Sequence, residues 1–375
     1  MSTPIRARSL GIPLLGVTGP HNAITDVDGV EVGMTTLIRG DGPLVVGQGP
    51  VRTGVTAILP RGRAGAGVPV FAGVHSLNGN GEMTGFVWVE ECGRTEAPIV
   101  LTNTHSVGVA RDAIVRWMLS RAPTRTPDFL LPIAAETYDG LLNDINGFHV
   151  DVDAVCAALD NASGGAVVEG SVGGGTGMIC YEFKGGSGTA SRVVDGDAFG
   201  GEAGTVGAFV QANFGRRHLL TIAGVPLGRM LPIDTHPIVR PAVVAAPRHS
   251  ADEQGSIIVV VATDLPLMPH QLKRLARRCT LGVGRSGAIA GHGSGDIFLA
   301  FSTANADFFA AGTGRRALAA VPDDALSPVF DAVIQAVDEA ILNALVANAP
   351  MTGRDGVTVP ALPHDAVRAA FAHPR

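Results

Sequence analysis

Charge is scarce in this sequence, and what there is does not cluster. Only 17% of the 375 residues are Asp, Glu, Lys or Arg, the net charge is −6, and no Lys/Arg run is interleaved with aromatics. Nucleic-acid binding needs a basic patch of that kind, so nucleic acid is not an expected partner. Cysteine is sparse too: Cys92, Cys156, Cys180 and Cys279 stand apart with no CxxC pair. This spacing argues against a zinc ribbon or a disulfide framework and fits free thiols in a reducing compartment. The eleven histidines are dispersed, with no HExxH and no Cys/His ladder, so no metal is expected. Near the start, "MSTPIRARSLGIPLLGVTGP" carries Arg6 and Arg8, but Pro13 and Gly16 break its short apolar patch. That is a poor signal peptide and no membrane span, so a cytoplasmic protein without membrane association is expected.

Apolar residues and glycine are what the chain has in quantity. Hydrophobic residues make up 46%, and the 50 glycines follow no Gly-X-Y period. Collagen and disorder are thereby excluded, and many tight turns around a large interior are implied. Low charge also points to self-association, because a monomer would have to solvate that surface alone. Short β-branched or aromatic runs alternate with glycine-rich turns at 56–60, 85–90, 98–103, 207–213, 256–263 and 296–303. Several are apolar at successive positions, the pattern of strands buried between layers. Helical periodicity covers 106–122, 268–279 and 327–349; Gly282 lies just past the second, and Ser327 and Pro328 open the third as N-cap and N1. No linker or repeat interrupts the alternation, so one layered α/β domain over 1–375 is expected.

Common catalytic signatures fail one by one. "GSVGGGTGM" (170–178) lacks the Lys-Ser/Thr of a P-loop, and no acidic residue follows at the Rossmann spacing. It is either a backbone-lined turn near a ligand or a plain structural turn. "EGSVG" and "GRSGA" each break the G-x-S-x-G elbow of α/β-hydrolases. His75 and His105 sit in polar loops where a lone histidine usually serves as a hydrogen-bonding residue. Three stretches carry more polar groups than a core explains: "HSLNGNGEMTG" (75–85), "ETYDGLLNDING" (136–147) and "GHGSGDIFLAF" (291–301). Each alone reads more simply as a satisfied turn.

"GSIIVVVAT" (255–263) places a serine between a glycine and a dense β-branched run. A serine hydroxyl inside a chain is a weak nucleophile and needs a base. Cleavage between Gly255 and Ser256 would supply one, the α-amine of Ser256 itself. An α-amino pKa of about 7.7–8.0 leaves roughly a tenth to a fifth of that amine as free base at neutral pH, where a lysine is almost wholly protonated. Gly255 would leave the scissile carbonyl open to attack. Taken alone, Gly-Ser before a strand is more simply the start of that strand.

Several segments occur together and in order: "HNAITDVDGVEVG", "TGVTAILPRG", "LNGNGEMTG", "TNTHSVG", "AAETYDGLLNDINGFHV", "EGSVGGGTGM", "GSIIVVVATD" and "GHGSGDIFLAFSTAN". This ordered set, spread over about residues 20–355, resembles the DmpA-type L-aminopeptidase/D-amidase/esterases, also called β-peptidyl aminopeptidases. The resemblance implies an α+β protein, a four-layer αββα sandwich similar in layering to N-terminal-nucleophile hydrolases but with different strand connectivity. It implies self-cleavage into associated segments 1–255 and 256–375, assembly of such pairs into homotetramers, small peptide, amide or ester substrates, and no cofactor. Position by position, Ser256 resembles the family's nucleophile, Ser294 and Asp296 its Ser-x-acidic pair, and Asn213 in "VQANFG" its oxyanion donor. Some members carry Glu where this chain has Asp296. Glu136 and Tyr138 match the region that holds the substrate ammonium, and Met34 stands where many members carry His. Two alternatives stay open: a self-processing acyltransferase that moves acetyl groups between amino acids, against which the serine counts, and a non-catalytic glycine-rich ligand-binding protein.

Overall fold

The computed structural model describes residues 5–125, 128–241, 255–310 and 314–372. The polar residues 252–254 that lead into Ser256 lie outside the described residues. In chain order the sheet strands are β1 (Glu31–Arg39), β2 (Val51–Leu59), β3 (Val70–Gly79), β4 (Arg94–Thr95), β5 (Ile99–Asn103), β6 (Ile133–Thr137), β7 (Gly186–Val194), β8 (Gly204–Asn213), β9 (Ser256–Thr263) and β10 (Gly295–Ser302). The principal helices are α1 (Phe86–Cys92), α2 (Val107–Arg121), α3 (Val152–Asp160), α4 (Pro269–Arg285) and α5 (Ser327–Val346). One sheet has the order β1-β2-β5-β6 and the other β4-β3-β10-β9-β8-β7. The parallel pairs are β5/β6 and β9/β10, and they are the pairs whose connections carry α2 and α4. A parallel neighbour needs a long crossover, and these helices supply it.

Strand β9 shows how the layers form. Ile257, Val259 and Val261 pack with Leu272, Leu275, Val337 and Ile341 of α4 and α5. Ile258, Val260 and Ala262 point the other way, against Ile58, Ile99, Leu101 and Ile133 of the second sheet. A third cluster joins Val55, Leu59 and Val100 on the far face of that sheet to Ile114, Trp117 and Leu159 of α2 and α3. Because successive side chains alternate across the pleat, a strand apolar at every position can be buried on both faces. The chain therefore forms the expected αββα sandwich, with β9 at the centre of the larger sheet.

Three local expectations are corrected. Residues 85–90 read as a strand, but Phe86–Cys92 is a two-turn helix framed by Gly85 and Gly93, both in the left-handed region. Only Val89 of that helix is buried, so one helical face covers the core and β-branched propensity loses to tertiary context. Helix α4 does not stop before Gly282 but runs through it to Arg285. A Cβ on Gly282 would lie 2.7 Å from Cβ of Val337, so this glycine lets α4 and α5 approach closely and does not terminate a helix. Ser327 is the first residue of α5, and its side chain makes no capping hydrogen bond.

Candidate active site

Strand register assembles the site. In the antiparallel ladder Ser256 pairs with Asn213, and in the parallel ladder it pairs with Gly295. Ser256 thus lies between the last residue of β8 and the first residue of β10, with Ser294 and Asp296 on either side of Gly295. Ser256 is 5% exposed and Asn213 6%, while Ser294 and Asp296 are buried. Ser294 Oγ donates to Asp296 Oδ1 at 2.8 Å. Asn213 Oδ1 accepts the Ile179 N–H at 2.8 Å, which commits its oxygen and leaves its NH₂ for a reactant. Directly outside the strand, the Gly255 carbonyl accepts the Gly295 N–H at 3.0 Å. A Cβ on Gly255 would overlap the Asn213 carbonyl oxygen and sit 2.8 Å from Phe214 Cα, so only glycine fits there without displacing β8.

The turn before β10 is held by the first polar stretch. Asn78 Nδ2 donates to the Ala290 and Gly291 carbonyls at 3.0 and 2.6 Å, and Asn80 Nδ2 donates to the Gly293 carbonyl at 2.8 Å. The β3/β10 register shifts at Asp296/Ile297, leaving Leu77 as the extra residue. Such bulges commonly re-aim side chains beside active sites. Thr84 is a structural residue: it donates to the Pro132 carbonyl and accepts the Ala134 N–H.

Glu136 comes from the other sheet, on β6. Its Oε1 accepts the Glu82 N–H at 3.1 Å, and its Oε2 accepts the Thr104 hydroxyl. A Cβ on Gly81 would lie 3.2 Å from Gly295 Cα and 3.3 Å from Glu136 Oε1, so this carboxylate borders the Ser256 row. Burial pushes the Glu136 pKa up, while the hydrogen bonds from Thr104 and Glu82 and the field of His105 pull it down. Tyr138, two residues after Glu136, is 50% exposed, and its ring lies over Gly140.

Other singled-out residues have structural roles. Met34 packs from β1 against the core between the sheets. His75 neighbours Phe298, and His105 stacks on Phe148. Asp144 accepts the Gly47 N–H and neighbours His149, while Asn143 joins the Arg52 N–H to Asp139. The glycine turn at 173–175 is buried and docks on Thr36 and Thr56 of the smaller sheet. Among the described residues no group of three or more His, Cys, Asp or Glu is placed to share a metal ion. Sequence reasoning missed Thr104, which lies within the quoted "TNTHSVG", and the Gly295 N–H, which a side-chain motif does not reveal.

Residues 22–359 match the model of peptidase family S58. The chain belongs to that family. It is 52% identical over 367 residues to a β-peptidyl aminopeptidase, BapA, of Sphingosinicella microcystinivorans, covering 97% of this chain and 91% of the relative. Among solved structures it is similar to the L-aminopeptidase D-Ala-esterase/amidase of Ochrobactrum anthropi, a prototype serine aminopeptidase with a variant of the Ntn-hydrolase fold. That match has a TM-score of 0.86 and 50% identity, and covers 99% and 98% of the two chains. A β-aminopeptidase of Burkholderia sp. matches with a TM-score of 0.84 and 46% identity over 98% of each chain. The S58 chain described here is therefore a hydrolase with aminopeptidase/amidase activity, and neither the acyltransferase nor the non-catalytic alternative stands.

The Thr104 hydroxyl favours the charged form of Glu136, so Thr104→Val should raise the Glu136 pKa further. Carboxyl ¹³C titration by NMR in the Ser256→Ala protein checks this; an unchanged or lowered pKa would contradict the role given to Thr104.

Proposed function

We propose that the protein matures by cleaving its own Gly255–Ser256 bond and then acts as a serine aminopeptidase through an acyl-enzyme on Ser256. The observation that carries this proposal is the row Asn213–Ser256–Gly295, which places a hydroxyl next to the Gly255 carbonyl and an amide donor. In maturation Ser256 Oγ attacks the Gly255 carbonyl carbon. The developing oxyanion is held by the Gly295 N–H, already 3.0 Å from that oxygen. The C–N bond breaks, the Oγ proton passes to the departing amine, and an ester remains. Water hydrolyses it to the Gly255 carboxylate and a free Ser256 N-terminus.

In turnover, Glu136 receives the free ammonium of a short peptide, amide or ester. Ser256 Oγ attacks the first carbonyl and yields its proton to its own α-amine, with the Ser294–Asp296 pair orienting the hydroxyl. The Asn213 NH₂ stabilises the oxyanion, a contribution of about 3 kcal/mol. The leaving group departs with that proton, and water then frees the N-terminal amino acid. The names of the relatives favour N-terminal L-α residues, D-alanyl amides and esters, and β-amino acids as acyl groups. Tyr138, half exposed two residues after Glu136, is proposed to line the substrate site beside it. We also infer a tetramer of cleaved pairs in a reducing cytoplasm; exposed Val87, Trp88, Leu281 and Ile289 and four free cysteines support this.

Native and denaturing mass spectrometry of the purified protein should show two chains, the second beginning at Ser256, held in one tetrameric assembly. Ser256→Ala should remain a single chain and fail to release p-nitroaniline from alanyl or β-alanyl anilides. An intact wild-type chain, or activity in Ser256→Ala, would contradict the proposal. Glu136→Gln should raise KM by about 10- to 100-fold with a smaller effect on kcat, the cost of one buried charge-assisted contact. In the wild type, KM should rise as pH falls through the elevated Glu136 pKa, because the protonated carboxyl no longer attracts the ammonium. That dependence should vanish in Glu136→Gln; its persistence would assign the ammonium site elsewhere.

A further inference from the structure

The turnover step proposed above depends on which way the Asn213 amide points. An asparagine amide presents either its oxygen or its NH₂ depending on what its neighbours demand, and here the demand comes from one peptide unit. The Met178–Ile179 peptide puts its N–H on Asn213 Oδ1 at 2.8 Å. Its carbonyl, that of Met178, accepts the Lys184 Nζ at 2.7 Å beside the Gly185 N–H at 2.9 Å. Lys184 Nζ also donates to the Gly185 carbonyl at 2.8 Å, and the Lys184 side chain is wholly buried. The backbone fixes Lys184 from both sides: its N–H donates to the Pro360 carbonyl at 2.7 Å, and its carbonyl accepts Asn348 Nδ2 at 3.0 Å. Among the described residues Lys184 makes no salt bridge, which is an expensive state for a buried amine and one that packing alone does not require.

We propose that Lys184 is a positioning residue for the oxyanion donor: through the Met178–Ile179 peptide it holds Asn213 with its oxygen engaged and its NH₂ turned to the reacting carbonyl. Hydrogen bonds in series strengthen one another, so a donor on the Met178 carbonyl also makes the Ile179 N–H a better donor to Asn213. The chain of contacts does not need the ammonium form. Burial lowers the Lys184 pKa to about 7, opposed by the fields of Cys180 and the buried Asp139, and the neutral amine still has a hydrogen for each carbonyl.

Lys184→Met keeps the length of the side chain and removes its donors. In matured protein it should lower kcat about 10- to 100-fold, part of what an oxyanion donor is worth, and leave KM within about twofold. The melting temperature should change little, because removing a buried amine offsets the donor lost to the Gly185 carbonyl. In an Asn213→Ala background the same substitution should change kcat less than about twofold, the non-additivity expected of residues acting through one group. If Asn213→Ala itself leaves kcat unaltered, the parent mechanism fails; if it lowers kcat and Lys184→Met does not, or if the two effects multiply, only the role of Lys184 is overturned. A second measurement does not depend on maturation. In the Ser256→Ala protein, adding Lys184→Met should speed hydrogen exchange of the Ile179 amide at least about tenfold, with the β9 amides unchanged. Unaltered exchange at Ile179, or equal loosening of β9, would refute the proposal.

Discussion

The Gly255 carbonyl and the Gly295 N–H meet at 3.0 Å, and this single ladder bond sets the geometry of the whole site. It extends the parallel pairing of β9 and β10 by one step beyond Ser256 and so fixes where the Gly255 carbonyl stands. A slip of one residue would turn Ser256 toward the helices and send every alternate side chain of β9 to the wrong layer. Both neighbouring strands enforce the same register, because Ser256 also faces Asn213 across the antiparallel ladder. Ser256 is therefore held at a strand end that is paired on both sides.

That rigidity follows from the layered architecture. Strand β9 is buried on both faces, one against α4 and α5 and the other against the smaller sheet, so its register is specified twice by apolar packing. The smaller sheet does more than cover it. Through Glu136 on β6 it delivers a carboxylate close to Gly81 and Gly295, beside the Ser256 row. Two sheets packed face to face thus divide the task. One carries the groups proposed for acyl transfer and the other the carboxylate proposed to receive a substrate ammonium.

Much of this was legible in the sequence, and the boundary of legibility has a physical cause. Strands rich in β-branched residues, such as 256–263 and 98–103, announce themselves by composition. Strand β7 does not: "GSGTASRVV" is small and polar, yet nearly all of it is buried because its groups bond to neighbours such as Glu169 and Asn22. Residues 86–92 mislead in the opposite sense, since a strand-like composition there forms an exposed two-turn helix. Among the candidate site residues, Ser256, Ser294, Asp296, Asn213 and Glu136 stood in recognisable motifs; the register sets Ser256 beside Asn213 and Gly295, with Ser294 and Asp296 flanking Gly295 and Glu136 near Gly81. Tyr138 shared a motif with Glu136 and is half exposed. Lys184 carried no signal, because its contacts to Asn213 run through a peptide unit that local sequence does not reveal.

The central claim is that a strand-end serine, freed as its own N-terminus, carries the acyl group. Rapid acid quenching of the matured protein during turnover of an alanyl or β-alanyl ester, followed by mass spectrometry of the chains, tests it most directly. The account predicts that the chain beginning at Ser256 gains one aminoacyl group, localised to Ser256, and that the other chain gains none. An adduct on another residue, or turnover with no adduct under conditions where deacylation is made rate-limiting, would contradict it.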